Sequence, residues 1–320
     1  MRVKSLMYTH FQSVPTTGRP LCLRACGRAA PPIHSMAPIN DFSVSQRGRA
    51  VMSPQDPTTR TWLQDGEASF VGLDLTAGRR LVDLAILDSQ LKIVLLESLP
   101  LEGALQLLLS ASRTVVAIDA PQQTSAGLLS NPEVREQYGL KPAGQPWQRY
   151  RVSEFELRRR GLNLCVTPQV EGAAPEWMRV GFRFYRRLCS EGYTVGQNEA
   201  GGARWCLEVH PHACFASLLG KIPFAKGTLE GRLQRQVLLF REGIQIPDPI
   251  VAMEELTAHH LLRGDLGLEG LCSHDALDAL VAAYTAYLAS QIPNRVSWMG
   301  DPADGFICLP ANPVADSYRR

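Results

Sequence analysis

Five carboxylates stand where ordinary packing would favour apolar side chains. Asp74, Asp119 and Glu208 each fall at the end of an apolar run, and Asp275 and Asp278 lie three residues apart in a helical segment. A charge buried in a strand costs several kcal/mol unless a partner compensates it, so such acids need a metal ion, a cation or a hydrogen-bonding network. Each acid alone could instead be an ordinary capping, turn or surface residue.

The apolar runs predict the strands that carry these acids. Three runs, at 69–75, 81–88 and 92–98, are joined by short connections and should form an antiparallel meander. Two further strands, at 114–119 and 205–209, are each reached through helices and should be parallel to the first. The pattern therefore predicts a mixed five-stranded α/β sheet flanked by helices.

The helix predicted over 273–290 explains how the acids could meet. Asp275 and Asp278 share one face of it, and the residues between and after them are small, which lets the helix approach a sheet closely. If the first strand lies between the second and the fourth, Asp74 lies beside Asp119. These four acids would then surround one pocket.

Charge and composition divide the chain into two parts. Residues 1–66 carry a balance of +5 against +2 for the whole chain, and they lack apolar periodicity. We predict a disordered basic leader there, resembling a transit peptide or reflecting an overextended start with Met52 as the true first residue. Residues 67–320 should form one domain, with a loop and helical insert at about 122–203. The domain is not basic overall, so any nucleic-acid contact must come from a local patch.

Other function classes find little support in the sequence. No apolar run reaches the roughly 18 residues that a membrane helix needs, so we expect no membrane partner. The eight cysteines are scattered and indicate neither a zinc framework nor a disulfide scaffold. This scattered arrangement suggests a reducing compartment, and we expect a cytoplasmic protein.

Several motifs resemble a known family. The segment HDALDALVAA, from His274, resembles the metal-binding last helix of RuvC-type Holliday-junction resolvases. Over roughly 69–310 the chain is similar to predicted nucleases with a ribonuclease H-like fold, catalogued as domain of unknown function 429. The motifs that carry this similarity, in order, are FVGLDLT, AIDAP, RVSEFELRRRG, LEVHPHACFASLLG, KGTLEGRLQRQ, HDALDALVAAYTA and GDPADGFICLP.

This resemblance implies a ribonuclease H-like fold and metal-dependent phosphodiester hydrolysis on nucleic acid. It implies two Mg²⁺ or Mn²⁺ ions held by Asp74, Asp119 and Asp278, with Asp275 as an alternative or fourth ligand. Oxygen ligands suit these ions, and two ions about 4 Å apart can both generate the nucleophile and relieve charge on the leaving oxygen. Glu208 could be a further ligand or a supporting acid.

Each residue that could contact the substrate has both a functional and a structural interpretation. Arg151, Glu154 and Arg158 could handle substrate or form a structural ion pair, and His210 could be a base or a structural residue. Lys226 and Arg232 could meet phosphates or belong to a solvated helix face. The arginines between 149 and 187 form the basic patch best suited to nucleic acid, either DNA or RNA. RuvC-like proteins act as dimers, so a homodimer is possible here.

Two other functions compete with hydrolysis. The first strand of the actin, sugar-kinase and heat-shock superfamily carries a similar turn that meets ATP phosphate. Here Leu75-Thr76-Ala77 stands where Gly-Thr/Ser is expected, and a second glycine-rich phosphate hairpin is missing from the sequence. A binding protein that keeps the fold without its chemistry is the third possibility.

Overall fold

The computed structural model describes residues 68–75, 81–140, 146–198, 202–254, 256–264 and 268–319. All of them belong to a compact unit that spans 49–320. The predicted disordered leader, 1–66, and the turn after the first strand, 76–79, lie outside the described residues, and both remain predictions.

The strands of the described residues form one mixed sheet. Its eight strands are β1 (Ser69–Asp74), β2 (Val82–Leu87), β3 (Ile93–Leu99), β4 (Thr114–Asp119), β5 (Thr194–Val195), β6 (Arg204–Glu208), β7 (Ser297–Asp301) and β8 (Gly305–Leu309). Their order is β3-β2-β1-β4-β6-β8-β7, and β5 pairs with β6 beside this path. The β1–β2, β2–β3 and β7–β8 pairs are antiparallel, whereas β4, β6 and β8 continue parallel from β1.

Nine α-helices surround the sheet in the part of the chain that is described. They are α1 (Leu101–Ser110), α2 (Pro132–Gln137), α3 (Val152–Arg159), α4 (Glu176–Ser190), α5 (Pro211–Leu219), α6 (Leu229–Arg241), α7 (Pro249–Glu254), α8 (Ala258–Arg263) and α9 (His274–Gln291). Among these described segments, no helix is both long and apolar enough to cross a membrane.

Each face of the sheet buries its own apolar core. Side chains alternate along each strand, so neighbours point to opposite faces. On β1, Phe70 joins a core with α5, α6 and α9, whereas Val71 and Leu73 join a core with α1 and α4. Burying both faces explains why the central strands read as nearly continuous apolar runs.

The predicted mixed α/β class is confirmed, but the count of five strands is wrong. β7 was not predicted because it is short, half-buried and interrupted by Gly300. β8 pairs with both β6 and β7, so it lies inside the sheet and not at its edge. The predicted loop and helical insert at about 122–203 contains the short helix α2, which Asn131 caps through its side chain.

Candidate metal centre at the carboxyl end of the sheet

A close approach of α9 to β1 sets the geometry of the acidic residues. A Cβ placed on Gly72 would lie 1.9 Å from the Ala279 carbonyl oxygen and 2.4 Å from the Ala283 backbone nitrogen. Only glycine fits there, because backbone atoms of the helix fill the space that a side chain would need. Ala279 and Ala283 are fully buried. This contact brings the first turn of α9 to the carboxyl end of β1.

Asp74, Asp275 and Asp278 meet at that end of the sheet. One carboxylate oxygen from each lies within 4.8 Å of the other two, and within the described residues this is the acidic group that could hold a metal ion. Asp278 is only 4% exposed, and the other two are half-buried. Ser273 caps α9 by accepting from the Ala276 backbone N–H, which fixes where both helix acids begin.

Asp119 stands beside this trio. It is the register partner of Asp74 in the parallel β1–β4 pair, so both side chains emerge at the same edge of the sheet. Burial raises the pKa of Asp119 well above its ordinary value, and the charges of Asp74 and Asp278 raise it further. Asp119 therefore shares the electrostatic environment of the trio.

Burial and crowding raise the pKa values of Asp74 and Asp278. Burial, followed by the charge of Asp278, raises the pKa of Asp74 from 3.8 to about 7. Burial also raises the pKa of Asp278, against the opposing influence of Lys226. Carboxylates this close cannot all ionise cheaply without a compensating cation.

Lys226 supplies part of that compensation. It lies in the connection between α5 and α6, and its Nζ is 2.7 Å from Asp278 Oδ2 and 3.8 Å from Asp275 Oδ1. Its side chain is 50% exposed, so solvent screens the pair on one side. The predicted interaction of Lys226 with phosphate remains a prediction, because its present partners are the acids themselves.

The donor set fits a hard divalent cation. Every group in the trio offers carboxylate oxygen, the ligand that Mg²⁺, Mn²⁺ and Ca²⁺ prefer. The raised pKa values and the ammonium group at Asp278 show that the cluster is short of positive charge. Asp74, Asp275 and Asp278 could therefore hold a metal ion, with Asp119 adjacent.

Glu208 is engaged elsewhere. Its neighbours Leu207 and Val209 join the α9 core and Cys206 joins the α4 core, so alternation turns Glu208 to the face opposite Asp119. Both of its carboxylate oxygens accept from the Arg151 guanidinium, and one also accepts from the Gln122 backbone N–H at 2.9 Å. The structure thus places Glu208 outside the acidic trio.

Arg151 and Glu154 complete this buried network. Both side chains are about 1% exposed, and Arg151 Nε donates to Glu154 Oε1 at 3.0 Å. Glu154 also accepts from the backbone N–H and the hydroxyl of Thr167. Because Arg151 uses Nε and both terminal nitrogens on these carboxylates, the structure favours the ion-pair interpretation over substrate handling.

The remaining basic candidates have separate environments. Arg158 is exposed and places its guanidinium carbon 5.1 Å from the Tyr150 ring centroid. Arg232 donates to the Leu271 and Cys272 carbonyls, each at 2.9 Å, and so fixes the segment that leads into α9. Arg232 thus positions the helix that carries two of the acids.

The arginine-rich patch is largely neutralised. Four arginines of α4 pair with three acids along the same surface: Arg179 and Arg183 with Glu176, Arg186 with Glu171, and Arg187 with Glu191. These exposed pairs leave less free positive charge than the sequence alone suggests. Nucleic-acid binding by this patch remains a prediction.

His210 caps α5 in an unexpected way. Its Nδ1 accepts from the Ala213 backbone N–H at 3.2 Å. Burial lowers the pKa of His210 from 6.5 to about 4, so the ring is neutral near pH 7. A residue with such a depressed pKa is a poor base at neutral pH, and its cap role was not predicted from the sequence.

Asp304 is a structural acid that was not singled out from the sequence. It is fully buried, and it accepts from the backbone N–H groups of Ala126 at 2.7 Å and Val152 at 2.8 Å. It thereby ties the β7–β8 turn to the segment after β4 and to the start of α3. The signal was its position inside GDPADG, where a turn-forming acid between glycines can reach backbone donors.

These features define an α/β protein with an acidic cluster at the carboxyl ends of its central strands. The sequence profile of a family described as protein of unknown function (DUF429) matches residues 103–303, which is more than half of the chain. The chain therefore belongs to this family. Asp119, Asp275 and Asp278 lie within the matched region, whereas Asp74 precedes it. No curated protein and no solved structure matches the chain.

Proposed function

We propose that this protein is a metal-dependent phosphodiesterase that hydrolyses nucleic acid, on a fold of the ribonuclease H type. The observation that carries the proposal is the convergence of Asp74, Asp275 and Asp278 within 4.8 Å, next to Asp119. Lys226 compensates only part of the charge of this cluster, so the cluster is costly to fold, which argues for a functional reason to keep it.

The fold assignment is part of the same proposal. An antiparallel meander continued by parallel strands, with a helix delivering acids to the central strand, supports a ribonuclease H-like arrangement. The resemblance of the α9 segment to the last helix of RuvC-type resolvases supports it as well.

The acids would hold Mg²⁺ or Mn²⁺ through Asp74, Asp275 and Asp278, with Asp119 available to a second ion. When bound, such ions lower the pKa of water and offset charge on the phosphate and on the leaving oxygen. The pKa of Asp74, about 7 in the metal-free cluster, would fall when a cation binds, so that the ionised carboxylate can serve as a ligand. Lys226, half-exposed at the cluster, can turn its ammonium group toward a phosphate.

The test is a cleavage assay on end-labelled single-stranded, duplex, hybrid and branched substrates. We expect cleavage of at least one substrate with Mg²⁺ or Mn²⁺, and none with chelator. Asp74→Asn and Asp278→Asn should each abolish it, whereas Asp316→Asn, at an exposed acid, should retain it. Well-folded protein that cleaves none of these substrates, or an Asp278→Asn variant with full activity, would refute the proposal.

A further inference from the structure

A small cavity lies directly beside the acidic cluster. A cavity of about 160 Å³ opens at the carboxyl ends of β4 and β6, and Asp119 forms part of its wall. Trp177 and Met178 of α4 line it together with Leu164 and His210. Cys165 also lines the cavity and is exposed to solvent, so it marks a side from which the cavity can be reached.

The backbone fixes which ring nitrogen of His210, in the cavity wall, carries the proton. His210 Nδ1 accepts from the Ala213 N–H, and a backbone N–H can only donate, so Nδ1 carries no proton. A neutral imidazole then carries its proton on Nε2. Among the described residues none accepts a hydrogen bond from Nε2. Because His210 lines the cavity, this N–H is available to an occupant that reaches Nε2.

The charged groups in the wall do not call for an ionic ligand. Arg151 is already bound by Glu154 and Glu208, which leaves its charge compensated inside the protein. Glu154 and Glu208 bring two carboxylates to one guanidinium, which disfavours a phosphate or a carboxylate within the cavity itself. The remaining walls are mainly apolar and include the indole of Trp177. The chemistry fits a neutral, flat group with a hydrogen-bond acceptor on its edge.

The volume of the cavity limits which ligands can occupy it. An apolar cavity of about 150 Å³ admits a single benzene-sized ring. We infer that this cavity receives one unpaired nucleobase of the substrate, which packs against Trp177 and accepts a hydrogen bond from His210 Nε2. That this ligand is a nucleobase rests on the proposed nuclease function. The inference specifies that the nucleic acid carries an unpaired base. The substrate must present an unstacked base next to the scissile phosphate, as single strands and bulges do.

The experiment measures binding without cleavage. In chelator, with the Asp74→Asn variant, Cys165 is alkylated in the presence of a short single-stranded oligonucleotide, and its labelling rate is followed by peptide mass spectrometry. A small free thiol in the same reaction serves as the reference for the alkylating reagent, because Cys189 lines a cavity together with Arg186 of the basic patch. We expect the oligonucleotide to slow labelling at Cys165 and to leave the rate of the reference thiol unchanged.

Two further arms separate base recognition from backbone binding. The same sugar–phosphate chain with abasic positions should protect Cys165 at least about tenfold more weakly, since base–aromatic stacking contributes strongly to single-strand binding. His210→Asn keeps a good helix cap but removes the Nε2–H, so it should weaken protection in a variant that still folds. Trp177→Phe, which keeps an aromatic wall, should retain most of the protection.

Equal protection by the intact and abasic chains, or no protection at all, would overturn the subsite. If cleavage succeeds and protection fails, hydrolysis stands and the subsite falls. If protection occurs and no substrate is cleaved with metal, base binding stands and hydrolysis falls. The two proposals therefore fail in distinguishable ways.

Discussion

Asp74→Asn should make the metal-free protein more stable at alkaline pH. The pKa of Asp74 rises from 3.8 to about 7 on folding, mainly through burial and then through the charge of Asp278. Between these two pH values the folded state keeps a proton that the unfolded state has lost. The contribution of Asp74 to the free energy of unfolding is therefore fully present below pH 3.8. It is lost as pH rises through about 7.

The magnitude follows from the size of this pKa change. Ionising the folded carboxyl costs up to about 4 kcal/mol relative to a group with an ordinary pKa. Because Asp119 and Asp278 share the repulsion, we expect asparagine to recover about 2–4 kcal/mol at about pH 8 and little at about pH 4. For a protein of this size the thermal midpoint should rise by about 5–10 °C at the higher pH.

The assay is thermal unfolding in chelator at several pH values, compared between the wild type and Asp74→Asn. Asp316→Asn, at an exposed acid, is the matched control and should show no pH-dependent difference. Saturating Mn²⁺ should narrow this difference in stability, because the wild type gains about 2.7 kcal/mol at a hundredfold excess over its dissociation constant and the variant gains less. An Asp74→Asn variant destabilised equally at every pH would refute this electrostatic account.

Three other substitutions probe the packing and the charges around the cluster. Gly72→Ala should destabilise the protein by about 3 kcal/mol or more, measured by urea unfolding, because its Cβ would collide with the α9 backbone. Lys226→Met should cost about 1–2 kcal/mol in chelator, since it leaves the buried Asp278 carboxylate unpaired, and Mn²⁺ should restore the thermal midpoint. Arg151→Met should cost about 3–5 kcal/mol in the same unfolding assay, and adding Glu208→Gln should recover part of that loss.

The substitutions at Gly72 and Lys226 each have a matched control in the chain. Gly103→Ala, in α1, meets its nearest atom at 3.9 Å and should be neutral or stabilising. Lys221→Met, at an exposed lysine in the same connection as Lys226, should change little. A Gly72→Ala variant as stable as the wild type would contradict the close helix–strand contact, and a Lys226→Met variant that Mn²⁺ does not stabilise would contradict cation competition at the cluster.

The central strands were predictable because each carries a long apolar signal. β1 and β4 are buried on both faces, so their runs end visibly at Asp74 and Asp119. The helix carrying Asp275 and Asp278 was also predictable, since its cap and its length are local features. β7 and β5 were not, because short strands take their structure from neighbours that the sequence does not reveal.

The environment of each side chain was harder to predict than its position in the chain. Glu208 ends a strand as Asp74 and Asp119 do, yet alternation from the apolar neighbours Leu207 and Val209 turns it to the opposite face. The alternation of apolar residues around Glu208 is visible in the sequence. It predicts the direction of the Glu208 side chain only once the core that each neighbour joins is known. The pairing of Arg151 with Glu208, 57 residues away, depends on the insert folding back onto the sheet, which local patterns do not specify.

The central claim is that the acidic cluster binds a divalent metal ion. Electron paramagnetic resonance of Mn²⁺ titrated into the full chain at about pH 8 tests it most directly, because free and bound ions give distinct signals. We predict saturable binding by the wild type and by Asp316→Asn, and its loss in Asp278→Asn. Binding of equal strength and stoichiometry by Asp278→Asn, or no binding by the folded wild type, would contradict the account.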